Sequence, residues 1–441
     1  MLYFCTNDQL IHTMKRYLFL SILFIYASLS AWGNIYFRSL DKTDGLSHLS
    51  VMSICQDELG RMWFGTLEGL NCYDGIRITR FKYSNQYPMI GNETFHVVSN
   101  KKGSLFLTSD SRLLHFDIYQ EKFTQLRKKA NHALFAHQNR VLMATNDSIF
   151  EWNQSKKEFE FRLTHSSVAN IKCLSVDHNE RLWVGTQSGL CRFDGTQAGS
   201  QPLCIIPHKS IQSLYNDSHN NMWAALLRNG MYKVMPNGIV DPLPKANSPL
   251  SNNDVRSFVE DNAGNLWIAT FNGLNKMDVQ GNFTHYMRDN LPSALKHSSI
   301  FPLYKDTQGT IWLGTFFGGV QYFNPEADLF THYSENKYRD DCLSFFFVGK
   351  MVEDKRGDIW ICTEGGGLNK LNRKTKKFTY YTADGKPNSI PFNNLKCITY
   401  DEKRDRLYIG THTKGLFSLD IATGKITHYD DFKQPEQRSY T

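Results

Sequence analysis

The sequence predicts an all-β fold, a β-propeller of four-stranded antiparallel blades. Three observations carry this prediction. A short segment centred on Trp, or on a substitute for it, recurs nine times. The runs around each copy alternate apolar and polar residues, the period of a half-buried strand. After the N-terminus no stretch carries the 3.6-residue stripe of an amphipathic helix.

The first full copy of the repeat runs Asp57-Glu-Leu-Gly-Arg-Met-Trp63-Phe-Gly-Thr66. It returns over 177–186, 261–270, 306–315 and 354–363, over 401–411 with Tyr408 in place of Trp, and more weakly around Trp223. Degenerate copies at 102–106 and 139–142 fill the remaining gap. The Trp-equivalent positions are spaced by 43, 36, 41, 40, 44, 45, 48 and 48 residues, one blade each.

Each unit begins with an alternating run such as Val51-Met-Ser-Ile-Cys-Gln56, the first strand. Asp-x-x-Gly is turn chemistry: the Asp side chain bonds the turn backbone and Gly takes a positive φ. The Trp-containing run is the second strand. Its Trp supplies packing surface, and its Gly or Ala lets a neighbouring blade approach. A turn and third strand follow, as in Gly69-Leu-Asn-Cys-Tyr-Asp74, then an edge strand such as Phe283-Thr-His-Tyr286.

Nine units exceed one common ring. The run Ile35-Tyr-Phe-Arg-Ser-Leu40 resembles the last strand of a unit with no unit before it, and is expected to complete a final blade. The expected division is a seven-bladed ring over 34–336 and the first two blades of an incomplete second propeller over 337–441. A single ring of eight or nine blades is the alternative. Residues 1–33 read as an upstream extension and a signal peptide: Met14-Lys15-Arg16, an apolar run over 17–29, then Ala31-Trp32-Gly33. The apolar run is short for a membrane span, so cleavage is expected over an uncleaved anchor, with no membrane insertion afterwards.

Net charge is +7, with Lys and Arg scattered apart from Arg373, Lys374, Lys376 and Lys377. That is a solvated surface and no nucleic-acid stripe. Nine cysteines occur without a CxxC. Buried thiols are expected, with room for one or two disulfides in an oxidising compartment.

The chemistry-bearing residues mostly belong to the repeat. His285, His332 and His428 share one place in different blades, so they cannot converge on a metal. The repeated Asp57, Asp177, Asp217, Asp261, Asp306 and Asp354 lack the alternate carboxylates of a calcium loop. Gly365-Gly366-Gly367 opens no helix, so it is no phosphate loop. No catalytic residue, metal or cofactor is expected. Binding is expected instead in the variable loops between second and third strands, taken to rim the central channel. The candidate ligand-binding residues are Glu68, Arg228, Asn229, Phe271, Asn272 and Phe317. Aromatic faces beside amides and charges suit an oligosaccharide.

The stretches Gly45-Leu-Ser-His-Leu-Ser50, Asp57 to Thr66, Gly69 to Asp74, Trp312 to Asn324 and Trp360 to Asn369 resemble the two-component regulator propeller repeat. The likeness extends over most of 35–429. It implies the periplasmic sensor region of a hybrid two-component system of the kind known mainly from Bacteroidetes. Complete members carry two seven-bladed propellers, a β-sandwich, a membrane helix, a histidine kinase and an output domain, and sense glycan fragments. The resemblance therefore implies a periplasmic, non-enzymatic chain that binds an oligosaccharide or other small ligand, with homodimerisation through regions C-terminal to it. A secreted glycan-active propeller enzyme and a protein-interaction scaffold are the alternatives.

Overall fold

The computed structural model describes residues 35–82, 84, 91, 93–110, 112–127, 133–195, 201–243, 249–289, 294–326, 333, 335 and 340–429. The expectations for residues 1–33 and for His332 fall outside these. The described strands form nine four-stranded antiparallel sheets. No helix among the described residues is long and apolar enough to cross a membrane. Two compact units hold the sheets, the described residues up to 326 forming one and those from 333 onward the other.

Six sheets of the first unit are continuous in sequence, at 51–81, 94–127, 133–164, 171–207, 211–243 and 255–286. The seventh is composite. Ile300–Lys305, Ile311–Thr315 and Val320–Phe323 supply three strands, and Arg38–Leu40 supplies the fourth. Arg38, Ser39 and Leu40 pair with Tyr322, Gln321 and Val320. The orphan N-terminal strand thus completes the sheet made by the last unit of the first compact body. Within every sheet the first strand of the unit is innermost. Innermost strands neighbour one another in chain order, and Ile300–Lys305 packs beside Val51–Gln56. The second unit holds two sheets, at 348–381 and 395–429.

The repeat signature explains this packing. In each unit of the first compact body whose second strand carries Trp, the turn Asp reaches forward to the indole. Asp57, Asp177, Asp217, Asp261 and Asp306 accept from Trp63, Trp183, Trp223, Trp267 and Trp312 Nε1 at 2.8–2.9 Å. A buried indole N–H needs an acceptor, and the carboxylate supplies one while its other oxygen holds the turn amides. The anchored ring then lies between sheets: Trp63 meets Phe116 of the second sheet at 5.5 Å, and Trp267 meets Phe323 of the seventh at 4.7 Å. The second sheet replaces Trp by Phe106, which donates nothing, and there Asn100 stands where the other units have Asp. Asn100 Oδ1 still accepts from the amides of Lys102 and Ser104. Phe106 packs on Trp152 of the third sheet at 4.7 Å.

The small residue after Trp marks close approach between sheets. A Cβ on Gly65 would lie 2.7 Å from the carbonyl oxygen of Thr94 in the next blade. One on Gly314 would lie 2.8 Å from Val51 Cγ1, across the junction of seventh and first blades. Any side chain there would push adjacent sheets apart.

The eight described cysteines are free thiols. The expectation of one or two disulfides finds no pair among them. Most lie on strands inside the sheets, where they pack as small apolar residues.

Candidate ligand-binding site

Where the signature ends in Thr, as in blades one, four, six and seven, that Thr clamps the loop between the second and third strands; the fifth blade, which carries Arg228 and Asn229, has Leu226 there. Thr66 Oγ1 donates to Gly69 O (3.0 Å) and accepts from Glu68 N (3.1 Å). Thr270 does the same with Gly273 O (2.8 Å) and Asn272 N (3.2 Å). The first loop amide then pairs with the segment leading into the innermost strand of its own sheet. Leu67 N donates to Ser50 O, Phe271 N to Asp254 O and Phe316 N to Ser299 O, at 3.0–3.4 Å. Between blades seven and one, Ser50 Oγ donates to Phe316 O. Loops and lead-ins therefore share one face.

The axis is lined differently from the sequence expectation. A cavity of about 300 Å³ opens among all seven innermost strands, and none of the six candidate loop residues lines it. The reason is geometric. The loops join the second and third strands out from the axis, so the innermost strand always stands between them and the channel.

In five of the seven blades a residue left over by a β-bulge near the start of the innermost strand faces the channel; in the second blade the slip leaves over Phe95, which does not line the cavity, and the third blade has no such slip. Val51 pairs with Thr66, but Ser53 already pairs with Gly65, leaving Met52 over. The same slip leaves over Lys172, Gln212 and Arg256, and both Phe301 and Pro302 in the seventh blade. A bulge re-aims the extra residue, and all of these line the cavity. His96 lines it too. Wetted by the channel yet ringed by protein, its imidazole is held below the ordinary histidine range by burial.

Arg256 joins this channel to the loop face. Its guanidinium lies 4.2 Å from the ring centroid of Phe301 and 5.0 Å from that of Phe271. Phe301 continues to Phe316 (5.9 Å), and Phe316 to Phe317 (4.4 Å). Phe317 in turn lies 6.1 Å from His48 and 6.5 Å from His297. Phe271 and Phe317 are each 53% exposed. Glu68 pairs with Lys82 at 2.8 Å, and that hydrogen bond holds its carboxyl below the usual range, with the Lys82 charge and His48 adding to the pull. An arc thus runs from Glu68 in blade one, through Phe317 in blade seven, to Phe271 and the exposed Asn272 in blade six.

Four of the six candidates lie along this arc. Arg228 and Asn229 are exposed on the neighbouring fifth blade, Arg228 at φ +54°, and no side-chain contact among the described residues joins them to it. Sequence reasoning missed Arg256, Phe301, Phe316, His48 and His297. One signal was available: the second residue of the innermost strand varies from unit to unit (Met52, Phe95, Lys172, Gln212, Arg256, Phe301) behind a first residue that stays buried.

No group of three or more His, Cys, Asp or Glu among the described residues could hold a metal ion. His285 Nδ1 lies 2.8 Å from Asn275 Oδ1, and His428 Nε2 lies 3.2 Å from Ser389 O, each a local structural contact.

Comparison with known proteins places this geometry. The model of the two-component regulator propeller family matches residues 45–68 and 249–272. Histidine kinase P4 of Formosa agariphila is 47% identical over 53 residues, 12% of this chain and 4% of that protein. The extracellular domain of the hybrid two-component system BT3049 from B. thetaiotaomicron superposes with a TM-score of 0.64 at 20% identity, over 90% of this chain and 61% of that one. That of BT4673 from the same organism gives 0.56 at 19% identity, over 90% and 53%. The chain therefore spans under two thirds of each of these relatives. At such identities the two structures speak for the fold, and the matched segments for the repeat. The chain is a β-propeller protein that carries the two-component regulator propeller repeat.

Proposed function

We propose that this chain is the exported, ligand-sensing part of a hybrid two-component system, and that its ligand is an oligosaccharide held on the loop face beside the channel. In this reading residues 34–336 act as one seven-bladed propeller and 337–441 contribute the first two blades of another. The chain binds and does not catalyse; phosphotransfer and output belong to other parts of such a system. Its place is the periplasm, and dimerisation runs through regions C-terminal to it.

The exposed rings of Phe271 and Phe317, set on either side of Arg256, Phe301 and Phe316, are the observation that carries the proposal. Exposed aromatic faces next to directed polar groups, at the mouth of a preformed cavity, suit the apolar faces and hydroxyls of a sugar. Calorimetric titration of the chain with an oligosaccharide panel tests it. At least one glycan is expected to bind, and Phe271→Ala and Phe317→Ala are each expected to weaken it by about tenfold, as for an aromatic anchor. Absence of binding across the panel would remove the oligosaccharide. Release of reducing sugar from a bound glycan would remove the non-catalytic reading.

A further inference from the structure

The channel differs chemically from the loop face that opens onto it. On one side its bulge residues are apolar, Met52 in blade one and Phe301 in blade seven. On the other, three consecutive blades contribute Lys172, Gln212 and Arg256. Two cations thus line the cavity, and no Asp or Glu is among the described residues that line it.

Neither cation is well compensated by the protein. Arg256 donates to Ser299 Oγ at 3.0 Å, and its ion pair with Asp254 is long, at 3.5 Å. Burial pulls its pKa down by more than Asp254 restores. Lys172 is exposed to the channel and forms no ion pair among the described residues. Packing against Phe301 and Phe271 keeps the Arg256 fork planar and in place, so little ordering remains when it grips an anion. A half-desolvated guanidinium whose one ion pair is long gains more from an anionic ligand than a hydrated surface arginine does.

The geometry points to an acidic sugar as the ligand, one residue of which lowers its carboxylate or sulfate into the channel between Arg256 and Lys172. The rest of the chain of sugars lies over Phe271 and Phe317. A cavity of about 300 Å³ stands at the small end of ligand pockets and suits one such residue. This inference rests on the sugar-binding reading above and adds the charge of the ligand and the groups that meet it.

The test titrates the full chain with three probes of matched length: an oligogalacturonate, a sulfated galactose oligomer and a neutral galactose oligomer. At least one acidic probe is expected to bind about tenfold or more tightly than the neutral one, the worth of a charge-assisted contact. Which acidic arm responds distinguishes carboxylate from sulfate. Arg256→Gln is expected to bring the acidic probe down to the affinity of the neutral one. Lys172→Gln, a change at an exposed position, gives a second reading independent of any folding defect in the first. Affinity for the acidic probe is also expected to fall as salt rises. Equal binding of neutral and acidic probes, or acidic binding unchanged in both variants, overturns the acidic ligand while leaving a sugar site intact. Failure of both acidic probes to bind overturns the acidic ligand, while the sugar-binding reading falls only if the wider panel above also fails.

Discussion

The ring of Phe37 stands edge-on to that of Phe323, centroids 5.1 Å apart at 74°, although the two residues lie at opposite ends of the first compact unit's sequence. Phe37 also meets Tyr286 of blade six at 6.0 Å and is nearly fully buried. The strand that follows it, Arg38–Leu40, fills the outer place in the seventh sheet. The N-terminal segment therefore joins the last blade of the unit by both backbone pairing and core packing.

Phe37→Ala should then cost about 3–5 kcal/mol, the range for emptying a well-packed aromatic site. Chemical denaturation of the chain checks this. A cost below about 1 kcal/mol, the scale of an ordinary substitution, would mean the clasp contributes little.

Asp177 accepts four hydrogen bonds: Asn179 N and Arg181 N on Oδ1 (2.9 and 3.0 Å), Arg181 Nε and Trp183 Nε1 on Oδ2 (2.7 and 2.9 Å). Burial works to raise its pKa, but Trp183 and the backbone and side chain of Arg181 outweigh burial and hold it low. Asp177→Ala should destabilise by about 3 kcal/mol, because buried donors lose their acceptor. Asp177→Asn, which keeps the oxygen facing the turn, should cost less. Unfolding followed by tryptophan fluorescence distinguishes the two.

In the second compact unit Asp405 is held down to about 2 by Arg356, with Tyr400 and Lys355 assisting against burial. A carboxylate whose folded pKa is depressed adds stability above its unfolded pKa, and that stability disappears as pH falls through the folded value. The loss should therefore fall between about pH 4 and pH 2. Asp405 lies near the surface, so the effect is about 1 kcal/mol or less. Asp405→Asn should flatten that part of a stability-versus-pH curve and lower stability at pH 7; an unchanged acid limb would refute the assignment.

Cys204 and Cys397 are exposed, whereas the other described thiols are partly or fully buried. Burial pushes Cys191 up to about 11 and Cys72, Cys173 and Cys362 up to about 12. Since the thiolate is the reactive form, only Cys204 and Cys397 of the described cysteines should label rapidly at pH 8. Mass spectrometry after a short alkylation pulse reads this directly. Rapid modification of Cys173 or Cys362 would contradict the packing.

The blade is legible in the sequence. Its period, the turn Asp, the Trp, the small residue two places on and the orphan first strand are all local or periodic features, legible because each blade must solve the same packing problem with nearby residues. Even so, the sequence shows the Asp only as turn chemistry, because its partnership with the Trp indole six residues later depends on the Trp being buried. The candidate loops were legible as the variable part of a constant repeat, and Glu68, Phe271, Asn272 and Phe317 do share one arc. What lines the axis emerges only once the sheets are assembled. Lys172, Gln212, Arg256 and Phe301 come from four different blades, and their shared direction arises from a bulge in each innermost strand. A one-residue slip in pairing leaves no mark in hydrophobic alternation strong enough to read. Their convergence exists only because sheets distant in sequence are brought round to face one another.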